Sequence, residues 1–177
     1  NRSLRSSIMP VALIDKVGAF TRGGKNMKVE KTIVISATPD KIWPFLVKPD
    51  KILMWFDSFK KCEYANDKHS GIGTIYYVEE KVPGPLRKID FEVKNWIENE
   101  NLVLEMKSGK NVSSYEIRWN LNATQSGTKF HFVEEVGMPF GVIGKILGVL
   151  GQGTADKMVE GMLIKLKNLA EKQTIST

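Results

Sequence analysis

The sequence predicts an α+β domain in which a curved antiparallel sheet of about seven strands closes on one long C-terminal helix. Three observations carry this. From Phe59 to Val136 apolar residues recur at every second position between short turn signals, which is the period of half-buried strands. Two short proline-initiated helices interrupt the chain after the first strand. The last forty residues then change to helical spacing.

In order, Val29, Ile33 and Ile35 lie on one face of a first strand over 28–37. Thr38-Pro39-Asp40 reads as N-cap, first-turn proline and first-turn acid, and Ile42, Trp43, Phe45 and Leu46 give the helix an apolar side. Pro44 is expected to kink or shorten it. Pro49-Asp50 starts a second short helix through Ile52, Leu53 and Trp55. Phe59–Tyr64 is a weak strand, Gly71-Ile-Gly73 a bulge or close backbone approach, and Thr74–Val82 the next strand. Over 87–97, Ile89, Phe91, Val93, Asn95 and Ile97 share a face. Leu102, Leu104 and Met106 define the following strand, and Tyr115, Ile117, Trp119 and Leu121 the one after it. Phe130, Phe132, Glu134 and Val136 complete the series. Consecutive strands joined by short turns, with one wet face, form an antiparallel meander. From Thr154 to about Lys172 a helix places Met158, Met162, Leu166 and Leu169 on one stripe, with Lys157, Lys165 and Lys167 on a solvated face.

The 177 residues make one domain, and 42% hydrophobic with 26% charged residues is a globular composition. The formal charge of +6 invites a nucleic-acid reading, but residues 1–26 hold +4 of it and the remainder has no basic stripe. No nucleic-acid partner is expected. Residues 1–26 read as a vector-derived or mis-annotated leader ahead of a start at Met27, with the domain running over 27–173. A leader packed on a neighbouring chain would make a homodimer. The glycine-rich run 136–151 reads as a gate whose apolar residues need cover, from the protein or by transient contact with a membrane surface. One cysteine, Cys62, fits a reducing, cytoplasmic compartment, and with two histidines it supplies no zinc cage. No metal or cofactor is expected.

An antiparallel sheet with one apolar face must cover that face, and the last helix is the element long enough to do so. Space left between them would be lined by Tyr76, Phe91, Val93, Met106, Tyr115, Ile117, Trp119, Phe130, Phe132, Met158 and Met162, large and adaptable side chains suited to an apolar ligand. A solid core is the other reading of the same stripe. The stretch Ile33-Val-Ile-Ser-Ala-Thr-Pro-Asp-Lys-Ile-Trp-Pro-Phe-Leu resembles the opening of the START-like, polyketide-cyclase and dehydrase (SRPBCC) superfamily. Trp55, Gly71-Ile-Gly73-Thr74, Gly127-Thr128-Lys-Phe-His-Phe and Leu163-Ile-Lys-Leu-Lys-Asn-Leu-Ala-Glu171 extend the resemblance over 27–172. It implies the helix-grip fold, which hosts lipid carriers, hormone receptors, cyclases and co-chaperones.

One residue breaks the apolar pattern with chemistry. Glu134 falls on the inward face of its strand, where an acid is expensive unless paired, hydrated or facing a ligand. A bulge that flips the register, or a place at the open end, would explain it as well, and the same alternatives apply to Asn95. The leading expectation is binding or transport of a small hydrophobic, lipid-like or aromatic ligand. The alternatives are a cyclase/dehydratase using Glu134 as acid or base with Tyr76 or Tyr115 as donor, and an interaction protein whose cavity is structural. A single inward acid favours binding, because acid–base catalysis needs a converging set.

Overall fold

The computed structural model describes residues 26–137 and 151–175, with side chains for 27–137 and 157–173. Seven strands form one antiparallel sheet: β1 (Asn26–Ile35), β2 (Phe59–Tyr64), β3 (Ile75–Glu80), β4 (Arg87–Ile97), β5 (Asn101–Lys110), β6 (Ser114–Thr124) and β7 (Gly127–Gly137). The order is β1-β7-β6-β5-β4-β3-β2, a six-strand meander with the first strand returning beside the last. The sheet curls into a half-barrel. Helices α1 (Pro39–Val47) and α2 (Pro49–Ile52) follow β1, and α3 (Gly151–Ile175) ends the fold. The leader 1–25 and the body of the glycine-rich gate, 138–150, lie outside the described residues.

The β1–β7 seam explains the Gly127-Thr128 motif. Gly127 has φ of +132°, and a Cβ there would come within 2.1 Å of the Ile35 carbonyl oxygen, so the chain crosses too closely for any side chain. Buried Thr128 then donates its hydroxyl to the Ala37 carbonyl at 2.7 Å. Thr38 stands at the N-cap of α1 without a side-chain cap bond, and the helix runs on past Pro44 to Val47. Its last carbonyls, which no helical N–H can reach, are met by side chains. Trp55 Nε1 donates to Phe45 O at 2.9 Å, and the Tyr76 hydroxyl donates to Val47 O at 2.8 Å.

Two expectations about facing are corrected. In β4 the register against β5 shifts between Val93 and Asn95, so the parity flips. Trp96 turns to the core and meets Trp43 edge-on at 5.3 Å, while Ile97, read as inward, is 48% exposed. Asn95 sits at the rim, where its amide donates to Asn101 and that of Asn101 to Asn120. In α3 the buried stripe is Val159, Met162, Leu163, Leu166 and Ala170, and Met158 is 39% exposed. Spacing by fours, as in 158, 162 and 166, drifts around a helix of 3.6 residues per turn, and the true stripe is turned by about one residue. Gly71 and Gly73 form a turn before β3, with φ of +78° and +89°, rather than a bulge within it.

The described part of α3 packs against β1 and α1. Lys167 Nζ donates to Val34 O at 2.8 Å and Ser36 N to Glu171 Oε1 at 2.7 Å, while Lys165 bonds Asp57 at 2.6 Å. Two of the three lysines read as a solvated face, Lys165 and Lys167, thus tie the helix down. Among the described residues no helix is long and apolar enough to cross a membrane.

Candidate functional site

The middle of the concave face is filled by aromatic rings from the turn after α2. Trp55 lies 5.5 Å from Trp119 and 6.4 Å from Phe130, and Phe56 lies 6.1 Å from Phe132 and 4.1 Å from Phe59. Phe59 continues the chain of rings to Phe91 at 6.3 Å, and Phe91 to Tyr115 at 5.0 Å. The rings expected along a cavity wall therefore pack on one another here. Phe91, Trp119, Phe130 and Phe132 are all fully buried. Tyr76 and Val93 are buried as well, but the Tyr76 hydroxyl is committed to the end of α1, which removes it as a donor to a ligand. Met158 is 39% exposed and lies off the buried stripe of α3.

Beyond Tyr115 the chemistry changes. The register of β7 is unbroken against both β1 and β6, so Glu134 faces inward, opposite Val29 on one side and Ile117 on the other. The bulge that would flip its register is therefore absent. The Tyr115 hydroxyl contacts Glu134 Oε1 in a short hydrogen bond and Glu80 Oε1 at 3.0 Å. Glu80 also accepts from Arg87 Nη1 at 2.8 Å and from Ser58 Oγ at 3.2 Å. Glu80 and Arg87 are 2% and 5% exposed, an ion pair inside the core. Glu134 is partly buried, so it is the member of this network that reaches toward the surface of the concave side. Its second carboxyl oxygen has no partner among the described residues.

Hydrogen counting limits the protonation pattern. Tyr115 carries one hydroxyl hydrogen and stands between two carboxyl groups, so it can donate to only one of them. Glu80 is already ion-paired with Arg87. The other contact is satisfied when Glu134 keeps its proton and donates to the phenol oxygen. The electrostatics agree. Burial, and next the charge of Glu80, push the Glu134 carboxyl up to about 7, against the opposing pull of the Tyr115 bond and Arg87. Burial also raises the Tyr115 phenol well above its ordinary value, so it remains a donor.

Two further features flank this network. Pairing of β5 with β6 ends at Glu105–Glu116, and beyond it the strands diverge. The gap, about 390 Å³, is lined by Met106, Tyr115, Ser113, Ser114 and the acids Glu105, Glu116 and Glu135. On the inner face of β6, Trp119 Nε1 is the buried side-chain N or O without a hydrogen-bond partner among the described residues. Elsewhere the titratable groups do structural work. His131 faces outward and pairs with Glu30 at 2.9 Å, and His69 stacks on Tyr64 at 4.2 Å. Cys62 is a buried β2 residue whose thiol is pushed up to about 12 by burial.

Glu80 and Arg87 were absent from the sequence-level site. The signal was available: Arg87 has the parity of Ile89, Phe91 and Val93, and Glu80 that of Tyr76 and Val78. The set around Tyr115 is a converging one, so the argument from a solitary inward acid no longer separates binding from catalysis.

Residues 26–171 match the family described as polyketide cyclase / dehydrase and lipid transport. Among curated proteins, no sequence matches the chain. Solved structures share its fold at low identity. A START superfamily protein from Mycobacterium smegmatis is 17% identical with a TM-score of 0.65, the match covering 82% of this chain and 98% of that one. The protein TTHA0849 from Thermus thermophilus is 17% identical with a TM-score of 0.66, over 81% and 96% of the two chains. The di-domain ARO/CYC StfQ from the steffimycin biosynthetic pathway is 14% identical with a TM-score of 0.62, over 84% of this chain and 52% of that one.

Proposed function

The chain belongs to the polyketide cyclase / dehydrase and lipid transport family, and from that premise we propose that it binds a small hydrophobic molecule at the Tyr115–Glu134 end of its concave face. One observation carries the reading: a carboxyl group bonded into a buried network, its second oxygen without a partner among the described residues, flanked across the sheet by the apolar Val29 and Ile117. Such a surface takes the apolar body of a ligand, and the carboxyl orients its polar end. The aromatic packing of the middle of the sheet keeps the ligand at this end.

The test is native mass spectrometry of the full chain for a co-purifying ligand, together with titration by decan-1-ol followed through tryptophan fluorescence. Trp55 and Trp119 are the reporters. A saturable, one-to-one response is expected. If no molecule co-purifies and decan-1-ol gives no saturable response, the reading is wrong.

A cyclase or dehydratase activity is the second reading, and the proton on Glu134 beside Tyr115 favours it specifically. A carboxyl that gains and loses its proton near neutral pH can take a proton from carbon and return one to a departing hydroxyl. On a β-hydroxy ketone probe this reading expects loss of one water, abolished by Glu134→Gln. An unchanged probe mass would end it.

A further inference from the structure

We propose that the ligand's polar end is a hydroxyl group, which donates its hydrogen to the outer carboxyl oxygen of Glu134. This rests on the binding reading above and names the chemistry the site selects. The ground is the direction of the hydrogen bonds within the network. Glu80 is met by three donors: Arg87 Nη1 at 2.8 Å, Ser58 Oγ at 3.2 Å and the Tyr115 hydroxyl at 3.0 Å. The Tyr115 oxygen is then free to accept, and it faces Glu134 Oε1. With the Glu134 proton on Oε1, each contact of Tyr115 holds one hydrogen. The outer oxygen, Oε2, is left as a carbonyl oxygen, which accepts and cannot donate.

The other placements of the proton lead to the same outer oxygen or leave a contact empty. A proton on Oε2 would let Glu134 donate outward. The single Tyr115 hydrogen must then serve two contacts, and one of them sets oxygen against oxygen. Loss of the proton makes Oε2 a carboxylate oxygen, again an acceptor. The outer oxygen therefore accepts whether Glu134 is neutral or ionised. Glu80 is paired with Arg87, so a Glu134 that keeps its proton calls for no counter-ion, and a neutral donor serves. Ketones, ethers, esters and ionised carboxylates bring acceptors only.

No described residue supplies that donor. The one hydrogen bond of Glu134 runs through Oε1, and its neighbours across the sheet, Val29 and Ile117, are apolar. A ligand that covers Oε2 without donating to it strips water from an acceptor and puts nothing in its place, which is unfavourable. Glu134 is only partly buried, so a ligand on the concave side can reach it. The site thus selects by hydrogen-bond direction rather than by charge.

Decan-1-ol and methyl nonyl ether are isomers, and only the alcohol donates. The ether is the more apolar of the two, so burial alone favours it. Both are titrated at pH 6 against the full chain, Glu134→Gln and Glu134→Leu, with tryptophan fluorescence as the readout. Wild type is expected to bind the alcohol at least about fivefold more tightly, because the ether leaves an acceptor unmet. Glu134→Gln keeps a carbonyl oxygen outside and an N–H for Tyr115, so its ratio is expected to stay close to that of wild type. In Glu134→Leu the advantage of the alcohol is expected to vanish. Equal or tighter binding of the ether to wild type, loss of the preference in a folded Glu134→Gln, or its survival in a folded Glu134→Leu overturns this inference and leaves the binding reading standing. If neither molecule binds wild type, the binding reading falls, and this one with it. Should a variant lose its cooperative melt, the infrared C=O band of the protonated Glu134 carboxyl in wild type decides. It must move to lower frequency with decan-1-ol and not with the ether, and an equal response to both overturns the proposal.

Discussion

At the scale of single residues, the Tyr115 network is where stability and function pull apart. Glu134 in the fold holds its proton up to about pH 7, against 4.5 for an ordinary glutamate. The native state therefore binds more protons than the unfolded chain between those values, and stability falls as pH rises through that window. The size of the effect is on the order of 3 kcal/mol from the linkage of a shift of this kind. Glu134→Gln keeps a donor for the Tyr115 oxygen and removes the titration. Its melting temperature is expected to equal that of wild type near pH 5 and to exceed it by several degrees at pH 8.5, in a thermal melt followed by circular dichroism. Equal melting temperatures at both values would contradict the buried network. Arg87→Met tests the other half. It leaves Glu80 charged and buried without its cation, a loss of about 3–5 kcal/mol, whereas Glu80→Met with Arg87→Met restores most of it. Chemical denaturation of the three proteins measures both. The parity of Glu80 and Arg87 made them legible as inward residues. That they meet each other across adjacent strands, and meet Tyr115 from two strands further along, depends on register and sheet curvature, which no local pattern contains.

At the scale of elements, period-two alternation made the strands readable to within a few residues at their ends, because each buries one face and wets the other. Where that alternation breaks, the reading broke with it. The register shift in β4 carried Trp96 inward and Ile97 outward. The turn after α2 was less legible still, since a non-helical segment has no period to say where Trp55 and Phe56 point. These rings fill the middle of the sheet, while the described part of α3 packs against β1 and α1. Element junctions give sharper tests than element interiors. Gly127→Ala meets the Ile35 carbonyl and a left-handed φ together, whereas Gly84, with φ of +119°, has open space around it. The cost expected for Gly84→Ala is about 1–2 kcal/mol, that of backbone strain alone, and for Gly127→Ala at least about twice that. Urea denaturation midpoints of the two variants should separate accordingly. Tyr76→Phe removes the hydroxyl that caps Val47 O and leaves only the longer Tyr64 bond of 3.3 Å, a loss of about 1 kcal/mol in the same measurement. If Tyr76→Phe instead changed ligand affinity without changing stability, its placement at the end of α1 would be wrong.

At the scale of the whole molecule, the fold closes because the first and last elements meet. β1 returns to the far edge of the meander against β7, and α3 lies on β1 and α1, so both ends of the domain are joined through one seam. That closure makes the two ends unequal in what they can lose. A chain starting at Met27 removes one described residue, Asn26, and leaves all seven strands and their core in place. Such a chain is expected to express in soluble form and melt in one cooperative transition. A chain stopping after Gly161 keeps every strand, yet it discards Met162, Leu163, Leu166 and Ala170, all of them buried. Three large apolar side chains at roughly 1.5–3 kcal/mol each approach the whole net stability of an ordinary domain, about 5–15 kcal/mol. The same cut removes Lys165, Lys167 and Glu171, which tie α3 to the turn after α2 and to the end of β1. The shortened chain is therefore expected to lose its cooperative transition and bind a dye for exposed apolar surface, although its sheet sequence is intact. A cooperative melt from that chain would mean that the sheet and its aromatic filling stand alone, and that α3 is a cover rather than part of the core.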